Sequence, residues 1–117
     1  MRIAILTVSD RSASGARTDR GGPAVAEAVQ KRGWDVAARE IVPDDRPAIE
    51  SALRRLSDEA DIILTTGGTG LAARDVTPEA TMSVASRRVP GLAEAMRAAS
   101  LRATPHAMLS RAEAAVR

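Results

Sequence analysis

Three short runs of apolar residues interrupt the polar pattern of the chain and predict three strands. The first, Ile3 to Val8, is continuously apolar and rich in β-branched residues, which is typical of a strand buried on both faces. The second, Val36 to Val42, ends at Pro43-Asp44-Asp45. The third, Ile62 to Thr65, breaks off abruptly at the glycine-rich segment Thr66 to Gly70. Each predicted strand therefore ends at a polar turn.

Helical periodicity fills most of the chain between and after these runs. The clearest helix follows Asp44 or Asp45, either of which can cap it. Its apolar stripe consists of Ile49, Ala52, Leu53 and Leu56. The polar segment from Ser9 to Thr18 is expected to be a loop. The other predicted helices run from about Pro23 to Gln30, from Thr77 as N-cap to about Ser86, from Leu92 to Leu101, and from about Pro105 to the terminus, with Ser110 to Arg117 helical.

Alternating strands and helices predict an α/β fold, a three-layer open sheet of mainly parallel strands with helices on both faces. We expect residues 1–117 to form a single domain. No strand is predicted after the third, so either one escapes the pattern or the chain is part of a longer domain. Ligands of open parallel sheets bind outside the carboxyl ends of the strands. Three segments fall there, and their side chains are expected to converge: Ser9-Asp10-Arg11, Pro43-Asp44-Asp45 and Gly67 to Asp75.

Composition excludes several kinds of chemistry. The chain has no cysteine and a single histidine, His106, which removes thiolate chemistry, disulfides and a His-based zinc site. Trp34 is the only aromatic residue and is expected to fill the core or the sheet edge, so nothing is left to stack on bases. A net charge of +2 without a basic run favours neither nucleic acid nor membrane as a partner. No segment resembles a membrane span or signal peptide, so the cytoplasm is the expected location.

The glycine-rich segment after the third strand is the leading candidate for a binding site. Backbone amides of Gly67-Gly68-Thr69-Gly70 can approach an anion closely, which predicts a phosphate-bearing small molecule. The stretch Gly68 to Ala73 fits the dinucleotide pattern G-x-G-x-x-A. It follows the third strand, however, and the next helix begins only at Thr77, which argues against that interpretation. A tight turn without a ligand is the structural alternative.

Charged residues at the same strand ends extend the candidate site. Arg74 and Asp75 suit a phosphate and Mg²⁺ respectively, although Asp75 is equally compatible with capping the following helix. One of Asp44 and Asp45 is expected to cap a helix, which leaves the other for a metal.

Smaller polar groups and an ion pair are expected at the rim of this site. Asp10 is expected to bridge loops in a pair with Arg11. Hydroxyl donors that suit a phosphate or a heterocycle, but are also common in turns, are Ser9, Ser12, Ser14, Thr66 and Thr69.

Several segments occur along nearly the whole chain in a recognisable order. They are Thr7-Val8-Ser9-Asp10-Arg11, Ser14-Gly15, Asp19, Val42-Pro43-Asp44-Asp45, Thr65 to Gly70, Arg74 to Thr81, Val89 to Leu92 and Leu109-Ser110-Arg111. Together they resemble the MoaB/Mog family of molybdenum cofactor biosynthesis, whose members bind molybdopterin. The block from Thr65 to Thr81 is the most specific part of this resemblance.

The resemblance implies an adenylyltransferase that moves AMP from ATP, with Mg²⁺, to the terminal phosphate of molybdopterin and releases pyrophosphate. It also implies a homo-oligomer, trimer or hexamer, and a molybdate-inserting enzyme as a partner. Asp44 and Asp75 match the family's catalytic aspartates and are the expected metal ligands. The expected substrate-binding residues are Ser9, Asp10, Arg11, Ser14, Thr66, Gly67, Gly68, Thr69, Gly70 and Arg74.

The end of the chain departs from the family pattern. Family members continue past the Ser-Arg segment into another buried strand and an Asn-Leu-Pro-Gly-Ser-Pro-like turn, whereas this sequence ends at Arg117. The C-terminal part of the domain is therefore expected to be missing. Two alternatives stay open: a molybdopterin-binding or scaffold protein without catalysis, and a different enzyme on the same fold, such as a nucleotide pyrophosphatase or deamidase-linked domain.

Overall fold

A computed structural model describes all 117 residues of the chain. It contains five strands and five helices, and none of the helices combines the length and apolarity needed to cross a membrane. The strands are β1 (Arg2–Val8), β2 (Asp35–Val42), β3 (Ile62–Thr66), β4 (Arg87–Arg88) and β5 (Ala115–Val116). The helices are α1 (Asp10–Ser14), α2 (Gly21–Lys31), α3 (Arg46–Ser57), α4 (Thr77–Val84) and α5 (Pro90–Leu101), and a 3-10 helix covers Pro105–Leu109.

The main sheet has three parallel strands in the order β2-β1-β3, with β1 in the centre. The register aligns Thr7 of β1 with Ile41 of β2 and with Thr66 of β3. All three strands therefore end at nearly the same level, because their last residues are paired with one another. The loops that follow them emerge together at one edge of the sheet, where parallel α/β sheets bind ligands.

Side chains of β1 alternate between the two faces of the sheet and anchor a hydrophobic cluster on each. Ile3 and Ile5 pack with Ala26 and Val29 of α2 on one face, and the half-buried Trp34 fills the margin of this cluster. The hydrophobic cluster on the opposite face is larger and involves α3 and α4. Its fully buried members are Ala4, Leu6, Val8, Ile49, Ala52, Leu53, Leu56 and Ala80. Helices thus cover both faces of the sheet, which confirms the predicted three-layer α/β architecture.

The strongest sequence patterns give the elements that they predict. The continuously apolar run of β1 is buried from Ile3 to Val8, because both neighbours of the strand and both faces of the sheet are occupied. The apolar stripe of α3 is buried in full, as predicted. Pro47 lies in the first turn of α3, where its missing N–H costs nothing.

Two predictions near the strand ends are wrong in detail. The segment from Ser9 to Thr18 is not only loop, because it contains α1. The Ser9 hydroxyl caps this short helix by accepting from the N–H of Ser12 at 3.2 Å, and Gly15 ends it at a φ of 81°. Thr77 is not the N-cap of α4, since its hydroxyl donates to the carbonyl of Gly67 instead and Val76 precedes the helix.

The prediction of a helix from Ser110 to Arg117 is also wrong, as is the absence of a strand after the third. This segment is extended, and its end pairs as β5 with β4 in an antiparallel ladder. Arg97 of α5 donates to the carbonyls of Ser110 and Ala112, at 3.2 and 2.8 Å. These contacts outweigh the helix propensity of an alanine- and glutamate-rich stretch, because propensity is worth only tenths of a kcal/mol per residue.

The packing of α3 against the sheet predicts how much stability is lost when a side chain of its apolar stripe is shortened. Leu56 is 0% exposed, so Leu56→Ala should lower the free energy of unfolding by about 2–5 kcal/mol through lost burial and a residual cavity. Ser51→Ala on the exposed side of the same helix is the control and should change it by less than about 0.5 kcal/mol. Urea unfolding followed by circular dichroism measures both. Equal effects of the two substitutions would contradict the assigned core.

Candidate functional site

A cavity of about 710 Å³ opens at the carboxyl ends of the three parallel strands. Of the fourteen residues that line it, only one is hydrophobic. The size is that of a small-molecule site, and the lining favours a charged, strongly polar ligand. Its walls are formed by Thr7 to Ser9 with Ser12, by Arg17 to Gly21, by Asp44, by Thr66 to Gly68, and by Asp75.

Two glycines at the end of β3 form one wall in a conformation that other residues rarely adopt. Gly67 and Gly68 have φ values of 96° and 70°. A Cβ at Gly67 would collide with the carbonyl oxygen of Val8, and one at Gly68 with the hydroxyl of Thr77. The buried Thr77 fixes both glycines, since its hydroxyl donates to the Gly67 carbonyl at 3.0 Å and its N–H to the Gly68 carbonyl at 3.1 Å. The cavity wall is therefore bare backbone.

The structure separates the roles of the two adjacent aspartates after β2. Asp45 caps α3 by accepting from the N–H of Ala48 at 3.1 Å, whereas Asp44 lines the cavity. Asp44 lies close to the glycine wall, because a Cβ built on Gly68 would be 3.3 Å from its Oδ1. Asp44 is therefore the member of the pair that is available to a ligand.

Asp75 approaches the same wall from the loop between β3 and α4. Its Oδ2 accepts from the N–H of Ala72 at 3.0 Å, so it stabilises its own loop and does not cap α4. A Cβ on Gly70 would come within 2.8 Å of this oxygen. Gly70 thus leaves the space that the Asp75 carboxylate occupies, and Gly68 does the same beside Asp44.

Asp10 connects the loops of all three strands. Its N–H donates to Oδ2 of Asp44 at 2.8 Å, and its own Oδ1 accepts from the N–H of Asp44 at 2.9 Å. The guanidinium of Arg74 donates to both Asp10 oxygens, Nε to Oδ2 at 2.6 Å and Nη2 to Oδ1 at 2.9 Å. The expected partner, Arg11, is exposed and makes no ion pair, so that pairing is wrong. The Arg74 guanidinium lowers the pKa of the Asp10 carboxyl from its ordinary 3.8.

The cations that line the cavity are not among the site residues predicted from the sequence. Arg17 and Arg20 lie between α1 and α2, line the cavity and form no ion pair, while Arg74 is engaged with Asp10. Arg17 and Arg20 are therefore better placed than Arg74 to offset negative charge in a ligand. Their sequence context, a polar loop with scattered arginines, carries no specific signal.

The start of α2 brings two further glycines against the strand ends. Asp19 accepts from the N–H of Gly22 at 3.1 Å and from the hydroxyl of Thr7 at 2.8 Å. A Cβ on Gly21 would come within 2.8 Å of the Thr66 hydroxyl. A capping-type residue followed by Gly-Gly at a predicted helix start is a recognisable signal for this close approach.

The predicted site residues divide into two groups in the structure. Six line the cavity: Ser9, Asp44, Thr66, Gly67, Gly68 and Asp75. Six lie outside its lining: Asp10, Arg11, Ser14, Thr69, Gly70 and Arg74. Of the second group, Asp10 and Arg74 brace the first through the contacts above. Ser14 is exposed and its hydroxyl donates to the carbonyl of Arg11 within α1.

The residues present can hold a magnesium ion only if a bound ligand supplies further oxygen atoms to it. The chain has no group of three or more His, Cys, Asp or Glu side chains that could hold a metal ion. Asp44 and Asp75 each use one carboxylate oxygen to accept a backbone N–H, and their Oδ1 atoms accept no hydrogen bond from the protein. One or two carboxylates supplemented by substrate phosphates is the usual environment of Mg²⁺.

Parallel strands between two helical layers, with a polar cavity at the strand ends, define a ligand-binding α/β domain. The chain belongs to the family described as "Probable molybdopterin binding domain", whose model matches residues 4–116.

Individual relatives agree with this assignment. "Molybdopterin adenylyltransferase" of Haemophilus influenzae is 42% identical over 121 residues, which cover 100% of this chain and 61% of that protein. The Escherichia coli K12 protein of the same name is 43% identical over 122 residues, with 100% and 62% coverage. The solved structure of the molybdopterin biosynthesis enzyme MoaB from Thermus thermophilus has 52% sequence identity and a TM-score of 0.92, covering 99% of this chain and 74% of that one. The chain thus spans less than two thirds of the length of these two curated relatives.

The bidentate contact between Arg74 and Asp10 predicts how this corner of the site responds to pH. Arg74→Ala should raise the pKa of Asp10 toward its ordinary 3.8, as measured by carboxyl NMR titration. Because the folded-state pKa of Asp10 is depressed, the pair stabilises the fold above the unfolded-state value, and this contribution disappears as pH falls through the folded-state value. The urea midpoints of wild type and Arg74→Ala should accordingly differ at pH 7 and converge in acid.

Arg11→Ala is the matched control, since Arg11 is adjacent to Asp10 in sequence but makes no ion pair with it. It should leave the Asp10 titration unchanged. A larger shift in Arg11→Ala than in Arg74→Ala would contradict the assigned pairing.

Proposed function

We propose that this chain carries the site of a molybdopterin adenylyltransferase, which transfers AMP from ATP to the terminal phosphate of molybdopterin and releases pyrophosphate. The observation that carries the proposal is the presence of Asp44, Asp75 and the Gly67-Gly68 wall in one polar cavity at the strand ends. Further support comes from relatives of that name, which match 100% of the chain at 42–43% identity.

The proposed reaction requires little covalent chemistry from the protein. An oxygen of the molybdopterin phosphate attacks the α-phosphorus of ATP, and the bond from that phosphorus to the pyrophosphate oxygen breaks. The protein has to bring two anions together in line and offset their charge. Bare backbone at Gly67 and Gly68 and the guanidinium groups of Arg17 and Arg20 suit these tasks. The absence of cysteine and of a catalytic histidine is then no obstacle.

We further propose that Asp44 and Asp75 hold Mg²⁺ together with the substrate phosphates. The ion, when bound, would neutralise charge on the phosphate oxygens and make the α-phosphorus more susceptible to attack. The protein's part is to orient the two carboxylates. Asp44 is oriented by the N–H of Asp10 and Asp75 by the N–H of Ala72, so each presents its other oxygen in a defined direction.

Isosteric substitution of the two aspartates tests the catalytic proposal. Asp44→Asn and Asp75→Asn should each lower kcat for pyrophosphate release on the order of 10²–10³-fold, because a preorganised negative charge is lost. The backbone bonds to both side chains can persist in these variants. The assay supplies ATP, Mg²⁺ and molybdopterin and follows both pyrophosphate and adenylylated pterin.

Asp45→Asn is the matched control, because it is adjacent to Asp44 and asparagine caps helices as well as aspartate does. It should retain activity within about threefold. If the wild-type chain binds molybdopterin but releases no pyrophosphate, the proposal of an enzyme is wrong and the alternative of a non-catalytic binding protein is supported. Full activity in Asp75→Asn would overturn the assigned role of Asp75.

We also propose that the chain forms a homo-oligomer, a trimer or hexamer, with exposed apolar side chains of α5 and the 3-10 helix in the contact between copies. Leu92 and Met96 are four residues apart on α5 and are 58% and 61% exposed. Met108 and Leu109 are also exposed, on the 3-10 helix that packs against α5. Concentrations of exposed apolar side chains are typical of interaction sites.

Met96→Lys should shift the sedimentation profile toward the monomer, because it places a charge in the proposed contact. Ala28→Lys, on the exposed side of α2, adds the same charge elsewhere and should leave the profile unchanged. A wild-type chain that sediments as a monomer at micromolar concentration would contradict self-association.

A further inference from the structure

We propose that Arg111 is a positioning residue that fixes the glycine-rich loop and Asp75 in the cavity without itself touching the substrate. Arg111 lies in the extended segment after the 3-10 helix, outside the residues that line the main cavity. The predicted effect of Arg111 on catalysis rests on the function proposed above. Its predicted effect on the position of the loop rests only on the contacts of Arg111.

The contacts of Arg111 converge on both ends of one short loop. Its N–H donates to the carbonyl of Thr69 at 2.9 Å, and Nε donates to the carbonyl of Gly70 at 2.8 Å. Nη2 donates to the carbonyl of Asp75 at 2.6 Å. One residue therefore connects the point where the loop leaves the glycine wall to the point where it presents the Asp75 carboxylate.

Glu79 in the first turn of α4 completes the arrangement. Its carboxylate accepts from Nη1 of Arg111 at 2.7 Å and from Nη2 at 3.3 Å. The pKa of Glu79 is lowered, first by this hydrogen bond to Arg111. Since both side chains are only partly buried, the ion pair by itself contributes little to stability. Its effect is to orient the guanidinium toward the loop carbonyls.

The residues between Gly70 and Asp75 have few other restraints. No helix or strand includes them, and the bonds within the loop are those between Ala72 and Asp75. The Arg74 side chain adds a contact to Asp10 at the opposite side. Without Arg111, the carbonyls of Gly70 and Asp75 lose their side-chain donors, and the loop can change its distance from the glycine wall.

A lysine cannot reproduce this arrangement. Arginine presents donors in a rigid planar fork, so a single side chain can hold two carbonyls and a carboxylate at fixed angles. A lysine ammonium in the same place keeps the charge and the attraction to Glu79 but loses the geometry. Arg111→Lys consequently separates the effect of charge from the effect of position.

Amide hydrogen exchange tests the structural part of the proposal. In Arg111→Lys, the N–H groups of Ala72 and Asp75 should exchange about tenfold faster or more, because the loop opens locally, while amides of the β1 strand keep their rates. Arg88→Lys is the matched control. Arg88 pairs with Glu113, which lies on the same extended segment as Arg111, and makes no side-chain hydrogen bond or ion pair with the loop, so its replacement should change neither set of amides.

Kinetics with Mg²⁺, ATP and molybdopterin test the catalytic part. Arg111→Lys should lower kcat about 10²-fold with little change in KM, because misplacement of a catalytic group affects the chemical step more than binding. Glu79→Gln keeps an acceptor oxygen for the guanidinium and leaves the two loop carbonyls bonded to Arg111, so it should lower kcat less than about tenfold. Arg88→Lys should be fully active.

Three results would overturn the proposal. The first is that the amides of Ala72 and Asp75 exchange at the wild-type rate in Arg111→Lys. The second is that the β1 amides are accelerated equally, which would indicate a general stabilising role. The third is a wild-type kcat in Arg111→Lys. If the wild-type chain transfers no AMP, the proposed function fails, and the exchange data still decide whether Arg111 positions the loop.

Discussion

Strand β1 is the element on which the rest of the structure depends, because it is buried on both faces and paired with a parallel strand on each side. Its register with β2 and β3 decides where the three following loops emerge. A one-residue slip would exchange Ile3 and Ile5 with Ala4 and Leu6 across the sheet and disrupt both hydrophobic clusters. The position of the cavity is therefore a consequence of core packing.

Reciprocal contacts between loops then convert this common edge into a defined site. Asp10 and Asp44 exchange backbone and carboxylate hydrogen bonds, and Arg74 attaches the third loop to Asp10. On the other side, Arg111 attaches the same loop to the C-terminal segment and to α4. A Cβ on Gly68 would crowd the Asp44 carboxylate and one on Gly70 would collide with that of Asp75, so these glycines and aspartates form one arrangement.

The elements fixed by short-range patterns could be predicted from the sequence. The apolar run of β1 and the stripe of α3 each match one periodicity, and both are buried as expected. The convergence of Asp44, the glycine wall and Asp75 followed from the rule for parallel sheets. Contacts between distant residues could not be predicted, because the pairing of Asp10 with Arg74 spans 64 positions. The extended C-terminal segment depends equally on distant partners of Arg97 and Arg111.

The proposed function requires the cavity at the strand ends to hold the phosphates of the reaction between Asp44, Asp75 and the Gly67-Gly68 wall. A crystal structure with a non-hydrolysable ATP analogue and Mn²⁺ in place of Mg²⁺ tests it most directly, since Mn²⁺ can be located by its anomalous signal. The phosphates should lie inside the cavity, and the metal should contact both aspartates. A nucleotide bound elsewhere on the chain, or a metal remote from Asp44 and Asp75, would contradict it.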